Sequence, residues 1–152
     1  MNRAWTYIIN KSLSVDELNL ITEAGTEFVT SWTAHEQKLM GSFEIYKNQI
    51  IIVKVNEEVT SASGCSIDKL THFIKQIETQ FNVELLNRLL IAYKIKDDVS
   101  VVHSSKIKEL LQTNTINENT IVYNTSISNQ NELLNWAQPL KNTWLAKYLI
   151  VL

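Results

Sequence analysis

Trp5, Tyr7 and Ile9 recur with a period of two, which predicts a first strand with one face buried. From Leu18 the period lengthens. Leu18, Ile21, Gly25, Phe28, Val29 and Trp32 fall on one face at helical spacing, the pattern of a helix lying on a sheet, with Gly25 marking a close approach. Ser14 and Glu17 set its start as a capping box, in which each side chain accepts from the other's backbone N–H, and Leu13 and Leu18 are placed as the hydrophobic staple. Phe43 and Ile45 alternate again, Lys47 and Asn48 supply a tight turn, and residues 49–55 return with a continuous apolar centre, so this stretch reads as a hairpin.

Ile67, Leu70, Phe73, Ile74, Ile77 and Phe81 predict a second helix over residues 66–81, with Asp68 complementing its positive end. Strands are expected at 89–93 and 99–102 around a turn at Lys96, Asp97 and Asp98. A short helix near 105–112 and a last strand at 121–123 follow. Asn129 and Glu132 make a cap pair, and residues from Leu133 onward are expected to be mostly helical, with Pro139 opening a second piece that carries Leu140, Trp144, Leu145 and Tyr148. The resulting class is α+β: a mainly antiparallel sheet with helices packed on it, a first part in ferredoxin-like β-α-β-β-α-β order, and C-terminal helices. Three Gly and one Pro leave no flexible linker and no repeat is visible, so residues 1–152 are expected to form a single α+β domain.

Composition narrows the function classes. At 152 residues a domain buries roughly two thirds of its unfolded surface and needs no disulfide or metal staple. With 45% hydrophobic and 20% charged residues, the whole chain is expected to fold. Fourteen basic against sixteen acidic side chains give a net charge of -2, the lysines are scattered, and only Arg3 and Arg88 are arginines, which argues against a nucleic-acid partner. A lone Cys65 cannot form an internal bridge and fits a reducing compartment, so a cytoplasmic location is expected. The N-terminal apolar run is broken by Thr6, Asn10 and Lys11, unlike a signal peptide, and the wholly apolar stretches 50–53 and 149–152 fall far short of the ~20 residues that span a bilayer.

Candidate chemistry concentrates in residues 56–68, where a buried strand hands over to the second helix. Ser63, Gly64, Cys65, Ser66 and Asp68 sit at or near that helix start, where unpaired N–H groups and the macrodipole favour a small anionic ligand, and a thiol there can be drawn toward thiolate. The same residues fit a plain architectural role, with Ser66 as N-cap, Gly64 adopting an unusual backbone angle and Cys65 as a small buried hydrophobe. Thiol catalysis needs a base within hydrogen-bond reach. His72 lies seven positions on, about two turns away; of His35, just after the first helix, and His103, after a strand, His35 is the better candidate, with Glu57 as an orienting group, although a histidine there also fits an exposed or capping role at the helix end. Glu57 and Glu58 follow a strand, as carboxylates for acid or metal work often do and as plainly solvated charges also do.

No Cys or His pair has zinc spacing, and neither HExxH nor a calcium-type acidic loop occurs, so no metal and no cofactor is expected. With glycines only at 25, 41 and 64, neither a P-loop nor a GxGxxG turn can be built, which excludes a P-loop ATPase and a Rossmann enzyme. The GxSxG elbow is missing as well.

WTAH at residues 32–35, FEI at 43–45 and ASGCSID at 62–68 resemble a family of short, uncharacterised bacterial proteins that commonly carry the label "ABC transporter ATPase". The resemblance continues through Asn87, Arg88 and INENTIVYN at 116–124, and so covers most of the chain. Departures fall at Glu36 and Asn56, where the family often has Gly and Asp. The resemblance implies no defined activity, and the motifs its label demands are absent. The leading expectation is therefore a non-enzymatic cytosolic binding or interaction domain that takes a small anion or a partner protein at the loop before the second helix. The rival is a thiol-dependent or acid-base enzyme using Cys65 and His35. A third reading is a structural subunit that forms a homo-oligomer through Trp136, Trp144 and the 149–152 tail.

Overall fold

The computed structural model describes residues 2–57 and 60–150. The period-two segment forms β1 (Arg3–Ile8), and the capping box opens α1 (Val15–Ser31), in which Glu17 N–H donates to Ser14 Oγ and Ser14 N–H to Glu17 Oε1, both at 3.1 Å. A small hairpin of β2 (Thr33–Ala34) and β3 (Gln37–Lys38) leads to β4 (Met40–Tyr46) and β5 (Ile50–Asn56). Lys47 and Asn48 both take positive φ, 49° and 60°, as a two-residue turn matched to strand twist requires. β5 pairs antiparallel with β4 on one side and β1 on the other, giving the order β1-β5-β4. This is the first half of the expected split βαβ arrangement.

The second half departs from expectation. After α2 (Gly64–Phe81), the strand β6 (Leu90–Ile95) does not join β1. It pairs with β7 (Asp98–His103) and β8 (Ile121–Tyr123), and β8 in turn pairs with β9 (Ala137–Pro139), so a separate four-stranded antiparallel sheet forms in the order β7-β6-β8-β9. The place beside β1 is filled by residues 125–129: Ala4 N–H donates to Ser128 O at 3.3 Å, Thr6 Oγ1 donates to Thr125 O at 3.0 Å, and Arg3 bridges Asn129. β6 is apolar on both faces, and a position on the open edge of the first sheet would leave one of them wet. Stacked between layers, it buries Ala92 on one side and Ile91 and Tyr93 on the other.

Four layers result. The helices α1 and α2 cover one face of the first sheet, around Tyr7, Ile51, Val53 and Val55. The opposite face, carrying Ile8, Ile50 and Ile52, meets Ala92, Val99 and Tyr123 of the second sheet. The far side of that sheet is closed by α3 (Ile107–Gln112) and two 3-10 turns, Leu140–Asn142 and Trp144–Tyr148, through Ile107, Leu111, Leu140 and Leu145. The class is α+β, with two larger antiparallel sheets and the β2-β3 ribbon among the described residues where one sheet was expected. The mostly helical C-terminal region is also corrected: α4 (Gln130–Leu134) is short, Pro139 ends a strand, and among the described residues the helical pieces that follow are 3-10 turns. Asn129 does cap α4, accepting from Glu132 N–H at 2.9 Å.

Gly25 permits a close approach of α1 to β4, since a Cβ there would land on the ring of Phe43, inside van der Waals distance. In Gly25→Ala the overpacking costs roughly 1–3 kcal/mol against about 1 kcal/mol of gained helix propensity. Urea denaturation is expected to show a net loss of stability, where an exposed helical glycine would show a gain.

The carboxyls of Glu17 and Glu132 are both held below the ordinary carboxylate value, Glu17 by hydrogen bonds from Ser14 and Glu132 by hydrogen bonds from Ser128 and then Asn129. A folded-state pKa below the unfolded one adds stability at pH above the ordinary value, and the addition vanishes as pH falls through the folded value. The double variant Glu17→Gln, Glu132→Gln is therefore expected to melt below the parent at pH 7 and to converge with it in acid, checked by thermal melts across the pH range.

Candidate functional site

The second helix starts two residues earlier than its apolar period suggests. Ser63, not Ser66, is the N-cap: its Oγ accepts from Ser66 N–H at 3.1 Å, while Ser66 Oγ accepts from Ser63 N–H at 2.7 Å. Two serines three apart thus build a capping box in which the buried Ser66 plays the part usual for Glu. Ser66 is pinned from the other side as well, because Trp32 Nε1 donates to its carbonyl at 2.8 Å. The segments 32–35 and 62–68 therefore meet in space.

Gly64 takes no positive φ and nothing lies within 4 Å of where its Cβ would be, so it is an ordinary first-turn residue and not the special turn expected. Cys65 is exposed, not a buried hydrophobe. Glu57 accepts from Ala62 N–H at 2.9 Å, and its own N–H donates to Asn2 Oδ1 at 3.1 Å. The Glu57 carboxylate consequently sits at the corner where an anion was expected, and the amides of Ala62, Ser63 and Ser66 already have partners within the chain. Glu58 lies outside the described residues.

The proposed base is placed by a different rule. His35 and Glu36 form the turn between β2 and β3, with φ of 52° and 67°, so His35 belongs to a hairpin tip and does not cap a helix. The loop before α2 approaches that hairpin where Thr60 Oγ1 donates to Gln37 Oε1 at 3.2 Å. Among the described residues no hydrogen bond joins His35 to Cys65. His72 faces the same hollow as Cys65 but bonds Gln76 at 3.3 Å, two helical turns, about 10 Å, further along the axis.

What Cys65, Asp68 and His72 do share is a hollow of about 460 Å³ whose apolar wall is Phe28, Trp32 and Phe73. A second hollow of about 1090 Å³ adjoins it, sharing Phe28, Ser31, Phe73 and Gln76, so the two make one groove along the seam of α1 and α2. Its floor is the half-buried pair Phe28 and Phe73, stacked at 4.5 Å between ring centroids and 12° between planes. Both phenylalanines fall on the apolar helix faces that the spacing predicts, and period alone gives no sign that such a ring is open at one edge.

Of the oligomer residues, Trp136 is half-buried against Tyr46 and Tyr123, with centroids 5.3 and 4.8 Å away, and closes the seam between the sheets. The phenol of Tyr123 is pushed up by burial and by the Tyr46 hydroxyl beside it. Trp144 is exposed, and residues 151 and 152 of the tail lie outside the described residues. Among the described residues no three His, Cys, Asp or Glu side chains are gathered as a metal site, and no helix is long and apolar enough to cross a membrane. No family model, curated protein or solved structure matches this chain.

Two substitutions separate capping from ligand binding at this corner. Ser63→Ala is expected to lose about 1 kcal/mol with the cap, and Gly64→Ala to gain about 0.5–1 kcal/mol by restricting the unfolded chain at a position with open space. Denaturant midpoints check both; a loss on Gly64→Ala would show that the glycine is required there.

Proposed function

We propose that this protein is a binding domain without catalytic activity of its own, and that it receives a segment of a partner protein in the groove between α1 and α2, next to the loop before α2. The observation that carries this reading is the stacked Phe28 and Phe73 pair, a flat apolar floor open to solvent between two long helices. A groove between helices is the usual receptor for an amphipathic helix, whose residues at i, i+3, i+4 and i+7 anchor in the apolar floor.

Two features support binding over thiol catalysis. Cys65 is accessible, but the histidine in its own hollow is two turns away and the hairpin histidine is not bonded to it. The internal pairing of the Ala62, Ser63 and Ser66 amides, with a carboxylate at the same corner, favours a protein partner over a small anion. We extend the reading to the bacterial family that the 32–35 and 62–68 segments resemble, since Trp32 and Ser66 bring those segments together beside the groove.

The test uses an uncharged amphipathic peptide of Leu and Gln, about five helical turns long. Backbone amide shifts should move around Phe28, Cys65, Phe73 and Gln76, saturate with peptide, and accompany slower iodoacetamide alkylation of Cys65. Shifts confined to another face, or no saturation, would refute a groove that binds.

A further inference from the structure

The charge around this groove says more about its occupant than its shape does. α1 carries four carboxylates, Asp16, Glu17, Glu23 and Glu27, and neither Lys nor Arg. Glu23 and Glu27 stand one turn apart on the wall of the larger hollow, both exposed, and neither joins an ion pair among the described residues. Opposite them α2 presents Gln76 and Gln80, which are neutral. Thr22 and Thr30, also on the α1 wall, donate their hydroxyls to the carbonyls of Leu18 and Thr26, at 2.9 and 2.7 Å, so their hydrogens point back into the helix. Lys69 lines only the smaller hollow, beside Asp68. The larger hollow therefore combines an apolar floor with two uncompensated negative charges about 6 Å apart along the helix axis.

We infer that the occupant is a cationic amphipathic helix of another protein, with apolar anchors on Phe28 and Phe73 and Lys or Arg one turn apart facing Glu23 and Glu27; this rests on the binding role proposed above. An acidic segment would be repelled from this wall. A neutral one would gain only the apolar floor.

Three peptides of one design test it: Leu at the anchor positions with Lys, Gln or Glu at the others, titrated by fluorescence anisotropy against the full chain at low and high salt. The Lys peptide is expected to bind about three- to tenfold tighter than the Gln peptide at low salt, and the Glu peptide weakest, since exposed ion pairs are individually modest and screened. The preference should vanish in Glu23→Gln, Glu27→Gln and invert in Glu23→Lys, Glu27→Lys, with circular dichroism confirming that these surface variants fold. Equal binding of Lys and Gln peptides in the groove would overturn the charge inference and leave the binding role standing. Failure of all three peptides would overturn both. Amide shifts from the Lys peptide that lie away from α1 would also overturn the inference, as would self-association of the chain that charge reversal abolishes, because the occupant would then be a second copy.

Discussion

β5 is buried on both faces, with Ile50, Ile51, Ile52, Val53 and Val55 all removed from solvent, and most of the architecture answers that demand. A strand whose odd and even residues are both apolar must be covered twice. On one side Ile51, Val53 and Val55 are sealed by α1 and α2, and on the other Ile50 and Ile52 are sealed by the second sheet. Burying such side chains contributes roughly 1.5–3 kcal/mol each, so neither face can be left to water. The groove is a by-product of the same arrangement: two helices laid side by side on a sheet leave a seam, and here the seam is floored by the stacked rings of Phe28 and Phe73.

Local signals were legible in the sequence because their chemistry is local. Ser14 with Glu17, Lys47 with Asn48, and Asn129 with Glu132 each specify a few backbone angles or hydrogen bonds among near neighbours, and each element they predict is present. Gly25 was legible for a different reason: a residue without a side chain on a buried helical face leaves room for something, here Phe43. The departure of β6 from β1 was not legible. Its apolar faces say that it needs cover on both sides but not from which elements, and the competitor for the edge of β1 lies more than a hundred residues away in sequence.

The site was only partly legible. Reading the helix start at Ser66 followed from the apolar period, which begins with Ile67, whereas the cap is set by a serine pair that no apolar pattern reports. Cys65, Asp68 and His72 line one hollow beside the predicted helix start. The expected partners of Cys65 are engaged otherwise, because Glu57 is committed to the loop backbone and His35 to a hairpin tip. Phe28 and Phe73 were read as members of apolar helix faces, and the difference between a core ring and a half-exposed ring on a groove floor lies in what the neighbouring helix fails to cover.

The strap of residues 125–129 along β1 has a consequence for how the chain is made. During synthesis the three-stranded sheet and its two helices emerge long before the strap does, and until then β1 presents an unpaired row of amides and carbonyls to the crowded exterior of the ribosome. The N-terminal half is thus finished in sequence but unguarded at one border, and the nascent chain depends on the later synthesis of residues 125–129 to close it. A premature stop after β7 leaves that border open for good, a sticky fragment and not a smaller working protein.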